Sequence, residues 1–162
     1  MTTRFTKAAL AATALAGALS ATTAHAATAN ADARAQILRQ ITVTKTADLD
    51  FATIVTGAAA STVQVSTTGA RTCGAGLTCT GTVAAAAFNI VGTTGQVVTI
   101  ASDPSVTLNS GANSMTASLV TSAATRTLTG TDSFTVGGTL AVGANQADGA
   151  YLGNFTVTVN YQ

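Results

Sequence analysis

Few side chains in this sequence could carry chemistry. His25 is the only histidine, glutamate and tryptophan are absent, and Cys73 and Cys79 are the only thiols. Beyond Ala26, acid–base catalysis, nucleophile activation and transition-metal binding would have to rely on Ser, Asp and Lys45, without the imidazoles and glutamates such sites mostly use. Asp48 and Asp50 fall short of the six oxygens a calcium site needs. This inventory predicts no enzyme, no cofactor and no metal centre. Charge narrows the field further. Beyond Ala26, Arg34, Arg39, Lys45, Arg71 and Arg126 stand against six Asp, and only 8% of the whole chain is charged. No basic patch exists to displace counterions, so nucleic acid is not an expected partner. With 47% hydrophobic residues in 162, the chain is too apolar to be a disordered polyampholyte. A binding or building protein remains.

The elements that must position any site begin after an address. Arg4 and Lys7 precede an apolar stretch from Ala8 to Leu19, which runs into Ala24-His25-Ala26. Positive, then apolar, then small-x-small predicts a secretory signal peptide over residues 1–26. Its apolar part is shorter than the roughly 20 residues a spanning helix needs. The product is expected to be exported and not an integral membrane protein. Export places Cys73 and Cys79 in an oxidising compartment. Their ring, Cys-Gly-Ala-Gly-Leu-Thr-Cys, contains two glycines that permit a tight turn, and it reads as a hairpin staple worth roughly 2 to 2.5 kcal/mol. A redox or metal role is the rival reading, but two thiols without histidine leave a metal under-ligated.

The remainder is rich in Thr and Val and alternates with period two. Alternation marks Ile41–Val43, Leu49–Phe51, Val63–Val65, Phe88–Ile90, Val98–Ile100, Val106–Leu108, Phe134–Val136, Leu140–Val142 and the longest run, Phe155–Tyr161. Turn residues separate these runs at Thr56-Gly57, Thr68-Gly69, Gly92 to Gly95, Asp103-Pro104, Asn109 to Asn113, Gly137-Gly138 and Gly143 to Asn145. Strands with one apolar and one Thr-rich face predict an all-β, immunoglobulin-like antiparallel β-sandwich over residues 39–162.

The segment 27–38 has its own pattern. Ala27, Ala29, Ala31, Ala33, Ala35 and Ile37 are apolar, and each residue between them is polar. An extended arm of this kind would line a groove with methyl groups and hydrogen-bond its backbone on both sides, as in β-strand addition. A short helix capped by Asn30, or a frayed terminus, fits the same residues.

At the other end Phe155, Val157, Val159 and Tyr161 alternate, Tyr161 is penultimate, and Gly149 is fourteenth from the C-terminus. Together these resemble the C-terminal signature of bacterial chaperone-usher pilus subunits, in an alternative or archaic form. The rhythm Leu49-Asp-Phe-x-Thr-Ile54, Thr56-Gly57-Ala58 and Gly149-x-Tyr-x-Gly-x-Phe-x-Val-x-Val-x-Tyr161 also resembles the secreted bacterial domains of unknown function called family 4402.

The pilin resemblance implies a sandwich lacking its last strand. A periplasmic chaperone would hold the strand bearing Gly149, Phe155, Val157, Val159 and Tyr161. At an outer-membrane usher, residues 27–37 of another copy would then replace the chaperone, giving a head-to-tail homopolymer on the cell surface. One domain leaves no room for a receptor-binding tip module, so the expectation is a shaft subunit of an extracellular fimbrium. A secreted or surface-attached monomeric module for carbohydrate or protein is the alternative. It would lack the aromatic platforms that carbohydrate sites use, since Tyr151 and Tyr161 lie in the closing strand region, where packing explains them.

Overall fold

A computed structural model describes residues 26–162, so the expected leader lies outside the described residues except for Ala26. The chain divides into two units, residues 1–35 and 36–162. In the described part of the first, residues 26–35 are exposed and form neither helix nor strand. Among the described residues there is no helix, and so none long and apolar enough to cross a membrane.

The second unit is an antiparallel β-sandwich. Its strands are β1 (Thr42–Ala47), β2 (Thr53–Val55), β3 (Ser61–Val65), β4 (Arg71–Cys73), β5 (Thr78–Thr80) and β6 (Ala86–Val91). Then come β7 (Val97–Ser102), β8 (Ser105–Ser110), β9 (Asn113–Thr121), β10 (Thr125–Thr127), β11 (Thr131–Val142) and β12 (Val157–Tyr161). The expected alternations at Ile41–Val43, Val63–Val65, Phe88–Ile90, Val98–Ile100 and Val106–Leu108 all fall on strands or their first residues. β-Branched Thr and Val suit the pleated backbone, and period two sends every second side chain inward. In β6, Ala86, Phe88 and Ile90 are buried while their neighbours reach the surface.

The larger sheet runs β1-β6-β11-β3-β4, with β9 also on β11 and β8 on β9. The smaller sheet is β10-β7-β12, and β2 pairs with β5 as a separate ribbon. Cys73 and Cys79 are joined, linking the end of β4 to β5.

Phe134–Val136 and Leu140–Val142 do not flank a turn, as the Gly137-Gly138 pair suggested; they are parts of the single long strand β11. Residues 131–136 pair with β6 and residues 138–142 with β3, while residues 136–141 pair with β9 on the opposite edge. One edge of β11 therefore changes partner at the two glycines. A Cβ at Gly137 would sit 2.6 Å from the Val65 carbonyl oxygen and 2.8 Å from Thr67 N, because the end of β3 passes directly over it. Glycine is needed there for close backbone approach.

Two apolar clusters fill the sandwich. One joins Phe88 and Ile90 of β6, Val98 and Ile100 of β7, Leu128, and Phe134 and Val136 of β11, with the Phe88 and Phe134 rings stacked at 5.1 Å. The other joins Phe51, Val63, Val65, Val106, Ala117, Leu140 and Val142. Leu49, Leu119 and Phe155 pack against both.

Asp132, buried at the start of β11, ties the sheets together. It accepts from Thr129 N at 2.7 Å and from Thr129 Oγ1 at 3.1 Å, and Arg126 Nε of β10 lies 3.4 Å away. The backbone hydrogen bond from Thr129 is the main cause holding its carboxyl below the ordinary 3.8; burial opposes it and Arg126 assists.

Two tests follow from these contacts. Gly137→Ala should cost about 3 kcal/mol in denaturant unfolding, since backbone rather than a movable side chain fills the space. A lowered folded-state pKa means the Asp132 contribution is present above the unfolded pKa and lost as pH falls from about 3.8 through the folded value. Asp132→Asn should therefore be less stable at neutral pH and show a flatter stability profile across that acid window, as measured by urea titrations at stepped pH.

Candidate assembly groove

Two extended stretches of chain run past each other without pairing. The first is β1, continued by Asp48–Phe51. Its outer edge is bonded to β6 and, through Asp50, to Ala84. The second is the stretch from Gly149 to Tyr161, ending in β12. It is bonded to β8 through a bridge between Leu152 and Asn109, to Asp103 through Thr156, and to β7 along β12. Among the described strands, β1 pairs only with β6 and β12 only with β7, which leaves each with one open edge.

Between residues 45–56 and residues 146–155 lies a groove of about 1150 Å³. Leu49, Phe51 and Ile54 form one wall and Tyr151, Gly153 and Phe155 the other. Phe88, Leu108, Met115, Leu140 and Val142 reach the groove from the core strands beneath. Leu49 and Phe155 in the groove walls are only half covered, as are Ile41, Val43, Val157, Val159 and Tyr161, which pack against the first cluster without lining the groove. Phe155 is fixed by an edge contact to Phe88 at 6.4 Å. Leu152 and Val55 remain 77% and 57% exposed, an unusual state for large apolar groups bordering a core.

At one end the two stretches are clasped. The Tyr161 hydroxyl donates to the Arg39 carbonyl oxygen and accepts from Thr93 N, each at 2.7 Å. The penultimate tyrosine therefore holds the chain just before β1 against the end of β12. At the other end the groove opens beside Gly149, which has φ +150° and whose Cβ, if present, would collide with Ser110 Oγ. Only glycine takes that backbone conformation readily. Charges gather along this part of the groove. Lys45 Nζ lies 2.6 Å from Asp48, Asp50 accepts from Ala52 N, and Asp148 borders the opposite side. Among the described residues no three His, Cys, Asp or Glu side chains come together as a metal site.

The structure brings Gly149 and Phe155 into one wall, whereas Val157, Val159 and Tyr161 of β12 pack against the first cluster and do not line the groove. It leaves Ala27, Ala29, Ala31, Ala33, Ala35 and Ile37 unpaired and outside any strand, with Ile37 93% exposed. Cys73 and Cys79 are not among the residues lining the groove. Sequence reasoning read Leu49–Phe51 as a strand and as part of the family rhythm; the structure leaves these residues outside the strands, with only a bridge at Asp50, and places them with Ile54, Leu108 and Met115 in the lining of a cleft that the sequence did not announce. The repeated apolar positions 49, 51 and 54, spread over more inward side chains than one short strand could bury, were the available signal. A second, shallower depression of about 540 Å³, near Ser61, Met115 and Gln146, has no aromatic ring in its lining.

The chain belongs to the family defined by a domain of unknown function, DUF4402, whose model matches residues 41–161. That span covers both walls of the groove and stops short of the alternating arm. No curated protein and no solved structure matches the chain.

Tyr161→Phe tests the clasp. Losing the hydroxyl leaves Thr93 N and the Arg39 carbonyl without their partner, and should lower unfolding free energy by about 1 to 3 kcal/mol. Hydrogen exchange should speed up first at Thr93 and along β12.

Proposed function

We propose that this protein is the shaft subunit of an extracellular fimbrium and polymerises head to tail by donating residues 27–37 to the groove of a neighbouring copy. The observation that carries this reading is the apolar cleft lined by the half-covered Leu49, Leu108, Met115 and Phe155, in a chain that also has two open strand edges and an exposed arm of alternating apolar residues. An extended strand laid in the groove would hydrogen-bond to open backbone along its walls while its methyl groups covered the half-buried Leu49, Leu108, Met115 and Phe155. Until assembly such a groove is an aggregation hazard, which is the physical reason for a periplasmic chaperone to fill it and an outer-membrane usher to receive it.

The magnitudes suit a joint made of many weak parts. Five alanine methyls at about 0.8 kcal/mol each, with Ile37, give roughly 5 to 7 kcal/mol. Some eight to ten backbone hydrogen bonds at a net 0.5 to 1.5 kcal/mol contribute a comparable amount. Long-lived joints would then rest on slow unfolding rather than on contact energy alone.

Replacing Ala31 or Ala33 with Asp would place a charge against the apolar floor. Electron microscopy of secreting cells should then show no filaments, with the subunit still present in the periplasm. Normal filaments in these variants would overturn the assignment.

A further inference from the structure

One wall of the cleft contains the single Asp-Gly pair of the sequence, Asp148-Gly149. Both residues are exposed and belong to neither helix nor strand. Among the described residues no hydrogen bond or ion pair engages the Asp148 carboxylate, and Gly149 N donates to no acceptor. We infer that Asp148 is a modification site, at which the chain converts aspartate to isoaspartate through its own backbone. The inference goes beyond the assembly reading and does not depend on it.

The chemistry needs only the chain and water. Gly149 N attacks Cγ of the protonated Asp148 carboxyl group. A C–N bond forms, the amide proton and the carboxyl hydroxyl leave together as water, and a succinimide ring closes. Water then adds to one of the two ring carbonyls and breaks its bond to nitrogen. Opening at Cγ restores aspartate. Opening at the former main-chain carbonyl leaves isoaspartate, with the chain now running through Cγ. The water lost is regained, so mass is unchanged and nothing is oxidised or reduced. Glycine favours the first step because it has no Cβ to crowd the attacking nitrogen and leaves the backbone free to turn.

The other five aspartates each fail one of these conditions. Asp32, Asp48 and Asp50 precede Ala33, Leu49 and Phe51, whose side chains crowd the nitrogen. Asp103 precedes Pro104, whose nitrogen carries no proton. Asp132 is buried and held by Thr129, and Ser133 after it lies in the ladder with β6.

The position gives the change a structural effect. The Tyr151 hydroxyl donates to the Ala147 carbonyl oxygen at 2.9 Å and accepts from Gln146 Nε2 at 2.8 Å, closing a loop around residues 148–150. Just beyond, Leu152 exchanges two backbone hydrogen bonds with Asn109 of β8. Isoaspartate adds one carbon to the main chain inside that loop. Gly149 cannot shift toward β8 to absorb it, because it already lies against Ser110. The added length therefore loosens the Tyr151 bond and, through it, the bridge at Leu152.

The experiment ages the full-length chain for weeks in neutral buffer. Isoaspartate is labelled with a protein isoaspartyl methyltransferase and located by peptide mapping. It should accumulate at position 148 faster than at any other aspartate, in a peptide of unchanged mass, beside a minor form lighter by one water. Asp148→Glu keeps the charge but would have to close a larger ring, and should lose the label from that peptide. The isoaspartate form, separated from the parent, should exchange the Leu152 amide hydrogen faster. Label at position 148 no greater than at Asp32, or label persisting there in Asp148→Glu, would overturn the site. Unchanged exchange at Leu152 would overturn its coupling to the cleft wall.

Discussion

Every peptide unit in a sheet has to find partners on both sides, and this molecule is organised around one place where that requirement is unmet. β1 and β12 are each bonded along one edge and open along the other, and Leu49, Leu108, Met115 and Phe155, which line the cleft, are only half covered. The unpartnered edges and the exposed Ile37 are the features on which the proposed assembly reading rests.

Much of the fold was legible because alternation of small β-branched residues leaves few choices. β1, β3, β6, β7, β8 and β12 fall where period two placed them, and the Thr68-Gly69 and Gly92 to Gly95 turns separate the strands they should. β9 was missed because its inward residues, Met115, Ala117 and Leu119, are unremarkable helix formers separated by Ser and Thr. Tertiary pairing with β11 overrides their propensity. Gly137-Gly138 misled for a clear reason. Two glycines commonly mark a turn, but they also mark places where backbones must touch, and sequence alone does not separate these uses.

The site was legible in part. Of the alternating end of the chain, Gly149 and Phe155 lie in one wall of the cleft, while β12 lies outside its lining. The facing wall and the floor come from segments far apart in sequence, and no local pattern announces that they meet. The role of Tyr161 within its own subunit was also hidden. Its importance was read from position, whereas its two hydrogen bonds depend on Arg39 and Thr93, which no local pattern links to it.

The Tyr161 clasp has a mechanical consequence. On the proposed reading, tension along a filament would enter each subunit at Arg39 and leave through the strand lodged between β1 and β12. Because the hydroxyl binds the entry point to the far end of β12, the pull would be shared along the lengths of several ladders. They would be loaded in shear, all their hydrogen bonds at once, rather than unzipped one after another. A fibre built from such links could resist drag with small side chains and little aromatic mass, its toughness set by the geometry of loading.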